Sequence, residues 1–342
     1  MSGHLDIVQA GPGLSPQDLG RPGFRAQGLT IGGAADPVAL YEGAAILGQS
    51  ANLAALEMAG SGGAFRVSVD MRIALTGAEM AANIDGDPLM WNASHLLPAG
   101  ATLTIGGARN GSYGYLHVGG GFDTLPQMGS RSSHLSAGLG RALQAGDSLP
   151  LGQDGTGQTG MTLTPVTRFG GGAVRVVASM QTASFSPDTR ERFTQTEFVR
   201  DARANRMGVR MDQPGEGFTT EGQLTIVSEV IVPGDIQITG DGAPFVLMYE
   251  CQTTGGYPRI GTVIPCDLPR VAQAQTGAAI RFEFVEMAEA IALQTRFLAE
   301  LKALPSKVTP LVRDPANIRD LLGYQLISGA VSAQANPFEE EN

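Results

Sequence analysis

Five stretches of the chain carry more polar and glycine residues than turns require. In the first, Gln17, Asp18 and Arg21 place an amide, a carboxylate and a guanidinium around the Gly20-Arg21-Pro22-Gly23 turn. Such a set can hold a small polar substrate, and the same spacing lets Asp18 and Arg21 lock their own loop as an ion pair. The second, Gly129 to His134, offers a flexible backbone, the Arg131 fork and the hydroxyls of Ser130, Ser132 and Ser133, parts that bind phosphate or carboxylate without lysine. In the third, Arg206 and Arg210 bracket Met207 and Gly208, a pattern that also fits a strand beginning with outward arginines. The fourth sets Glu229 and Gln237 around a Pro233-Gly234 turn. The fifth is the richest: Gln252, Thr253, Thr254, Gly255, Gly256 and Tyr257 follow an apolar run, and paired glycines let backbone N–H groups approach a ligand closely.

The rest of the composition removes other chemistries. Of 23 basic side chains in 342 residues only Lys302 and Lys307 are lysines, so residues 1–301 contain no phosphate-loop lysine, no kinase-type Lys–Glu pair and no Schiff-base lysine. The four histidines show no H-x-x-x-H pattern, and Cys251 and Cys266 have neither zinc nor redox spacing, so no metal site is expected. Cys251 as a nucleophile would need a histidine, and none follows His134; a buried structural thiol is the expectation. No G-x-S-x-G is present, and no G-x-G-x-x-G opens a helix after a strand. A formal net charge of −10 argues against nucleic acid or an anionic membrane as partner. The N-terminus lacks a basic and apolar leader pattern and no apolar run is long enough to span a bilayer, which together predict a cytoplasmic protein.

These segments must be positioned by strands. The 47 glycines, about twice the usual ~7% share, punctuate short apolar runs such as LDIVQAG, FRVSVDMRIALTGAE, ATLTIGG and YGYLHVGG. Phe65, Val67 and Val69 alternate with polar neighbours, the period of a half-buried strand. An exception is Asp36 to Gly48, where an Asp cap, Pro37 at the first helical position and apolar spacing predict a helix. A Gly/Thr/Gln-rich stretch near 151–172 reads as a linker between two mostly β halves. Helical spacing recurs from Ser186 to Phe198 and over EMAEAIALQTRFLAELKAL, with a further short helix expected within 313–331 before an acidic tail. The resulting division is a β domain at 1–155, a linker at 156–172, a second β domain at 173–287 and a helical extension at 288–342.

Taken together, the segments resemble the allophanate hydrolase subunit 2 family, also described as the 5-oxoprolinase C subunit family or as biotin-dependent carboxyltransferase-like, which includes the antagonist of a sporulation-kinase inhibitor. The motifs in family order are QDLGR at 17–21, Gly33, Ala34 and Asp36, AALE at 54–57, LTGA at 75–78, YLHVGGGFD at 115–123 and GSRSS at 129–133. RALQAGD at 141–147, RMGVR at 206–210, SEVIVPGDIQ at 228–237 and QTTGGYPRIGTVIPCDLPR at 252–270 follow. The chain departs from the family at Gly32, often Ser, at Ala35, often Met, at Gln49, often Asn, and at Glu250, often Asp.

The resemblance implies an all-β fold of two cyclophilin-like β-barrels with C-terminal helices. It implies a partner B component, itself like allophanate hydrolase subunit 1, and in the 5-oxoprolinase case a further A component. It also implies a complex that couples ATP hydrolysis to opening of the 5-oxoproline lactam, with ATP bound by or shared with a partner. In related urea carboxylases the domain accepts carboxylate from biotin; this chain has no biotinyl-lysine site, so biotin would arrive on another protein. A third reading is a non-catalytic regulator that binds the inhibitor-like B component. For the lactamase reading, Asp18, Arg131 and Tyr257 are the expected catalytic groups. Gln17, Arg21, Asp36, Ser132, Arg206, Glu229, Gln252, Thr253, Thr254, Gly255 and Gly256 are the expected substrate contacts.

Overall fold

The computed structural model describes residues 3–155, 157–220 and 227–312. The first half is a nine-stranded antiparallel sheet that curves as a half-barrel. Its spine is the strand Thr102–Val118, which pairs along its length with Met71–Ile84. Along its opposite edge it meets Ser61–Val67 near its start and Ala55–Ala59 near its end. Gly106 and Gly107, read from sequence as a break, lie inside this strand, because pairing on both sides holds the backbone extended. The FRVSVDMRIALTGAE run instead divides at a turn between Val67 and Met71. Alternating side chains (Leu5, Ile7, Phe65, Val67, Ile73, Leu75, Leu103, Ile105) fill the concave core.

The second half closes into a seven-stranded barrel. In order around it run Gly172–Val177, Arg259–Val263, Asp235–Ile238, Pro244–Leu247, Gly208–Asp212, Phe198–Ala204 and Ala279–Phe284. The closing pair, Gly172–Val177 with Ala279–Phe284, is parallel. Phe193 plugs one end, stacked on Phe282 with ring centroids 5.1 Å apart and met edge-on by Phe218 at 5.5 Å. This core continues into the first half through Ala34, Ala35, Leu40, Tyr113 and Tyr115, so the two halves share apolar packing.

Four α-helices occur among the described residues. Helix α1, Pro37–Leu47, begins at Asp36, whose Oδ1 accepts the Val38 N–H at 3.1 Å, and ends at Gly48 in the left-handed region. Helix α2, Pro187–Gln195, is capped by Ser186. Helix α3, Leu268–Gln273, was not expected, being too short for apolar periodicity to reveal. Helix α4, Met287–Lys302, packs on α1 through Leu301 and Phe297. No helix among the described residues is long and apolar enough to cross a membrane. The helix expected within 313–331 lies outside the described residues.

Candidate functional site

The two expected N-terminal loops meet. Asp18 Oδ1 accepts from Gly20 N at 2.8 Å, Ser130 Oγ at 2.6 Å and Ser132 Oγ at 2.5 Å, while Oδ2 accepts from Arg131 N at 2.6 Å. The Asp18 N–H donates in turn to Ser132 Oγ at 2.7 Å. Asp18 therefore spends its carboxylate on holding the 130–132 loop, and the sequence-level Asp18–Arg21 ion pair does not form. Arg21, fully buried, donates instead to the carbonyls of Ser132 and Gln127. Burial pulls its guanidinium below the ordinary value, against the opposing fields of Asp18 and Glu250. Gln17 Nε2 bridges Ser15 Oγ and the Ser133 carbonyl, leaving Oε1 buried without a donor among the described residues.

Arg131 projects from this frame. Its NH2 group reaches Asp123 at 3.2 Å, and its Nε is shielded from solvent with no acceptor among the described residues. It borders a groove of about 180 Å³ with Pro16, Gln127, Ser133 and Arg141. Arg141 is itself clamped by Asp147 through two 2.6 Å bonds. The groove can thus accept a small anion at Arg131.

A second polar array crosses between the halves. Arg206, expected as a substrate contact or as an outward arginine opening a strand, instead turns inward and is half-buried; its Nε donates to Glu250 at 2.5 Å, and its NH1 and NH2 donate to Glu57 and the Gly33 carbonyl. Glu57 Oε2 also accepts from Ala35 N and Tyr115 OH, both at 2.7 Å. Glu250 Oε2 accepts from Ser136 N at 3.0 Å and lies 3.8 Å from His134. Burial alone raises the Glu250 carboxyl, but the Arg206 guanidinium outweighs it and holds the group below the usual range. His134 is pushed below its ordinary range by burial, against the pull of Glu250. Gly32, one of the departures from the family pattern, has φ +61, and a Cβ there would lie 2.9 Å from the His134 ring and 3.3 Å from Arg21 NH1. That packing brings the two arrays into contact.

The third group stands on the barrel rim. Glu229–Val230 pairs with Thr254–Gly255, and Ile231 N donates to the Thr253 carbonyl at 3.1 Å. Glu229 is engaged by Arg259 at 2.5 Å and Gln181 at 3.0 Å. Gln252, Thr254 and Tyr257 are exposed, while Thr253, Gly255 and Gly256 are half-buried. A Cβ on Gly255 would lie 2.5 Å from Gln237 Nε2, so glycine is what lets the hairpin lie flat on the barrel. The hairpin joins the first array through Cys251, whose carbonyl accepts from Thr30 Oγ1 at 3.0 Å, and Thr30 Oγ1 lies 3.0 Å from His134 Nε2. Burial pushes the Cys251 thiol up to about 12, so it is not a thiolate near neutrality.

Asp36 stands apart. It is fully buried, caps α1, and is held by Arg168 Nε at 2.6 Å and Gln273 Nε2 at 2.7 Å. Arg168 also forks onto Glu42, whose carboxyl burial raises despite that partner. Sequence reasoning passed over Glu57, Glu42, Arg168 and Gln273 as site-builders. Glu57 had a signal in the AALE motif, whereas Arg168 and Gln273 lie in ordinary-looking linker and helix text.

Residues 27–284 match the family described as "Carboxyltransferase domain, subdomain A and B". The chain is 33% identical over 297 residues to the 5-oxoprolinase C subunit of Haemophilus influenzae, covering 85% of this chain and 94% of that one. To the Escherichia coli 5-oxoprolinase C subunit it is 34% identical over 293 residues, covering 84% and 93%. Its fold superimposes on the crystal structure of the K. lactis urea amidolyase with a TM-score of 0.79 at 22% identity, covering 91% of this chain and 21% of that far longer one. With the half-barrel, the closed barrel and their shared polar junction in place, these matches establish that the chain belongs to the carboxyltransferase-domain family, subdomains A and B, alongside the 5-oxoprolinase C subunits.

Proposed function

We propose that this chain is the C component of a cytoplasmic, ATP-dependent 5-oxoprolinase, which converts 5-oxoproline, ATP and water to L-glutamate, ADP and phosphate together with its A and B components. The observation that carries this reading is the end-to-end likeness to two 5-oxoprolinase C subunits, reaching 94% of one of them. The site geometry fits a shared active centre: the candidate groups lie on loops at the rims of both halves, and Arg131 and Tyr257 are exposed enough to meet a partner.

A lactam carbonyl is a poor electrophile, and ATP supplies its activation when bound. In this reading Arg131, with its unsatisfied Nε, holds an anionic oxygen of substrate or phosphate at the 180 Å³ groove. Asp18 positions Arg131 by fixing its backbone N–H and is a positioning residue, and Ser132 is committed to the same task. Gln252, Thr254 and the Gly256 backbone present donors, and Tyr257 forms a wall or delivers a proton. Arg206 and Glu250 keep the two rims in register.

The test is glutamate release and ATP hydrolysis from 5-oxoproline by this chain alone, with the B component, and with the A and B components together. Turnover confined to the three-part mixture and lost in Arg131→Ala with the complex intact is the expected result; a stable complex without turnover overturns the reading. The family's name favours one other reading, carboxyl transfer to urea or a related amide from a biotinylated partner. Inhibition by avidin and a requirement for bicarbonate would mark that case.

A further inference from the structure

On the side of the junction lined by Arg200 lies a cavity of about 540 Å³, walled by Gly60, Ala108 and Ser112 of the first half and by Arg200, Ala204 and Thr276 of the barrel. Its volume is in the range of small-molecule sites. Small side chains make the room, and Arg200 is the one charged residue that lines it. The Arg200 backbone is pinned in the sheet, donating to the Ala278 carbonyl at 2.9 Å and accepting from Gly277 N at 2.9 Å. Its guanidinium has a single protein acceptor among the described residues, Thr276 Oγ1 at 2.6 Å from NH1, and its Nε is buried with none. No carboxylate among the described residues forms an ion pair with it, although Arg168, Arg175, Arg206 and Arg259 all have one. Tyr113 lines the same cavity, and no protein group among the described residues bonds its hydroxyl. Burial pushes that phenol up to about 12, so it stays a donor at neutral pH. Tyr113 and Arg200 also line the narrow space that leads to Arg206.

A part-buried guanidinium without a counter-charge is costly unless an anion completes it. One cation and one phenolic donor match a monoanion with two oxygens better than a phosphate dianion. We propose that this cavity is a binding subsite for the carboxylate of a small monocarboxylic acid, with the Arg200 guanidinium as counter-ion and the Tyr113 hydroxyl as second donor. That the acid is 5-oxoproline rests on the function proposed above; the subsite itself does not.

The experiment is calorimetric binding to the full chain, and to its assembly with the A and B components. The ligands are 5-oxoproline, 2-pyrrolidinone (the same ring without the carboxylate), benzoate and inorganic phosphate, tested on the parent protein, Arg200→Gln, Arg200→Lys and Tyr113→Phe, each checked for a parent-like melting temperature. The expected result is at least tenfold tighter binding of 5-oxoproline than of 2-pyrrolidinone, lost in Arg200→Gln, partly kept in Arg200→Lys and several-fold weaker in Tyr113→Phe. Tyr113→Phe removes only one oxygen, so it keeps the test open if an Arg200 variant misfolds. Absence of monocarboxylate binding in both forms, binding unchanged in Arg200→Gln, or phosphate as the tightest ligand would each overturn the subsite. Arg200-dependent binding of benzoate but not of 5-oxoproline supports the subsite and counts against the oxoprolinase reading. Turnover of 5-oxoproline by the complex that Arg200→Gln leaves unchanged, together with Arg200-dependent benzoate binding, upholds the subsite and the oxoprolinase reading but overturns 5-oxoproline as the acid held there.

Discussion

Gln273, on a helix of the barrel, donates its amide to Asp36, the N-cap of α1 in the other half, at 2.7 Å. The same Nε2 donates to the Tyr113 carbonyl at 2.8 Å, and Oε1 accepts from Ser112 N and Tyr113 N at 2.9 and 3.0 Å. The side chain is fully buried and uses its whole bonding capacity. Gln273→Glu keeps the shape but turns two donors into an acceptor facing a carboxylate. It should cost about 2–4 kcal/mol at pH 7, read as a lower urea midpoint. Part of the loss should return near pH 5, as the introduced carboxyl takes up a proton; a parent-like midpoint at pH 7 would contradict the assignment.

Gly43 lies inside α1, where alanine normally gains about 1 kcal/mol over glycine. A Cβ there would meet the His117 ring at 2.3–2.4 Å. That ring is fixed, being wholly enclosed and 2.7 Å from Thr76 Oγ1. Gly43→Ala should therefore destabilise by about 1–3 kcal/mol. In a double-mutant cycle with His117→Ala the two costs should sum to more than the cost of the pair.

His117 also gives the fold an acid-sensitive component. Thr76 donates its hydrogen to the Ala39 carbonyl at 3.0 Å, so His117 Nε2 must be the donor toward Thr76, the neutral tautomer. Burial pushes the imidazole down to about 3. Because the unfolded chain takes up this proton near pH 6.5 and the folded one does not, the contribution is complete above about 6.5. It is lost as pH falls towards 3, at up to about 1.4 kcal/mol per unit. Urea midpoints at pH 7.5 and 5.0 should differ less in His117→Gln than in the parent; equal slopes would refute the neutral buried imidazole.

Asp18→Ala removes the acceptor of four donors: Gly20 N, Ser130 Oγ, Arg131 N and Ser132 Oγ. The expected cost is about 2–4 kcal/mol, concentrated at the 130–132 loop. Hydrogen exchange should accelerate there first, and turnover of the assembled complex should fall as Arg131 loses its position. Unchanged protection at Arg131 would show that another group holds the loop.

Much of the β architecture is legible in the sequence, along with every helix long enough to show a period. Asp36, Pro37 and Gly48 mark α1 to the residue, since caps act through neighbouring N–H and carbonyl groups. The six-residue α3 left no such trace, and the Thr102–Val118 strand hid behind its own glycines. Among the site residues, the union of the Gln17–Arg21 and Gly129–Ser133 segments is decided by Asp18 bonds across 112–114 residues, a separation at which local pattern carries no information.

By itself the sequence determined the materials: strands from alternation, a helix from its caps, arginine rather than lysine for every anion contact in the body of the chain, and the polar loops. Tertiary structure alone decided which charges are spent and which are left over. Asp18 and Arg206 read as binding groups in one dimension and become loop anchor and junction bolt in three, while Arg200, unremarked in the sequence, keeps its charge without a carboxylate partner among the described residues. The reason is that caps and periodicity act over a few residues, whereas a buried charge is settled by whichever partner the closing of barrel against sheet brings within bonding distance.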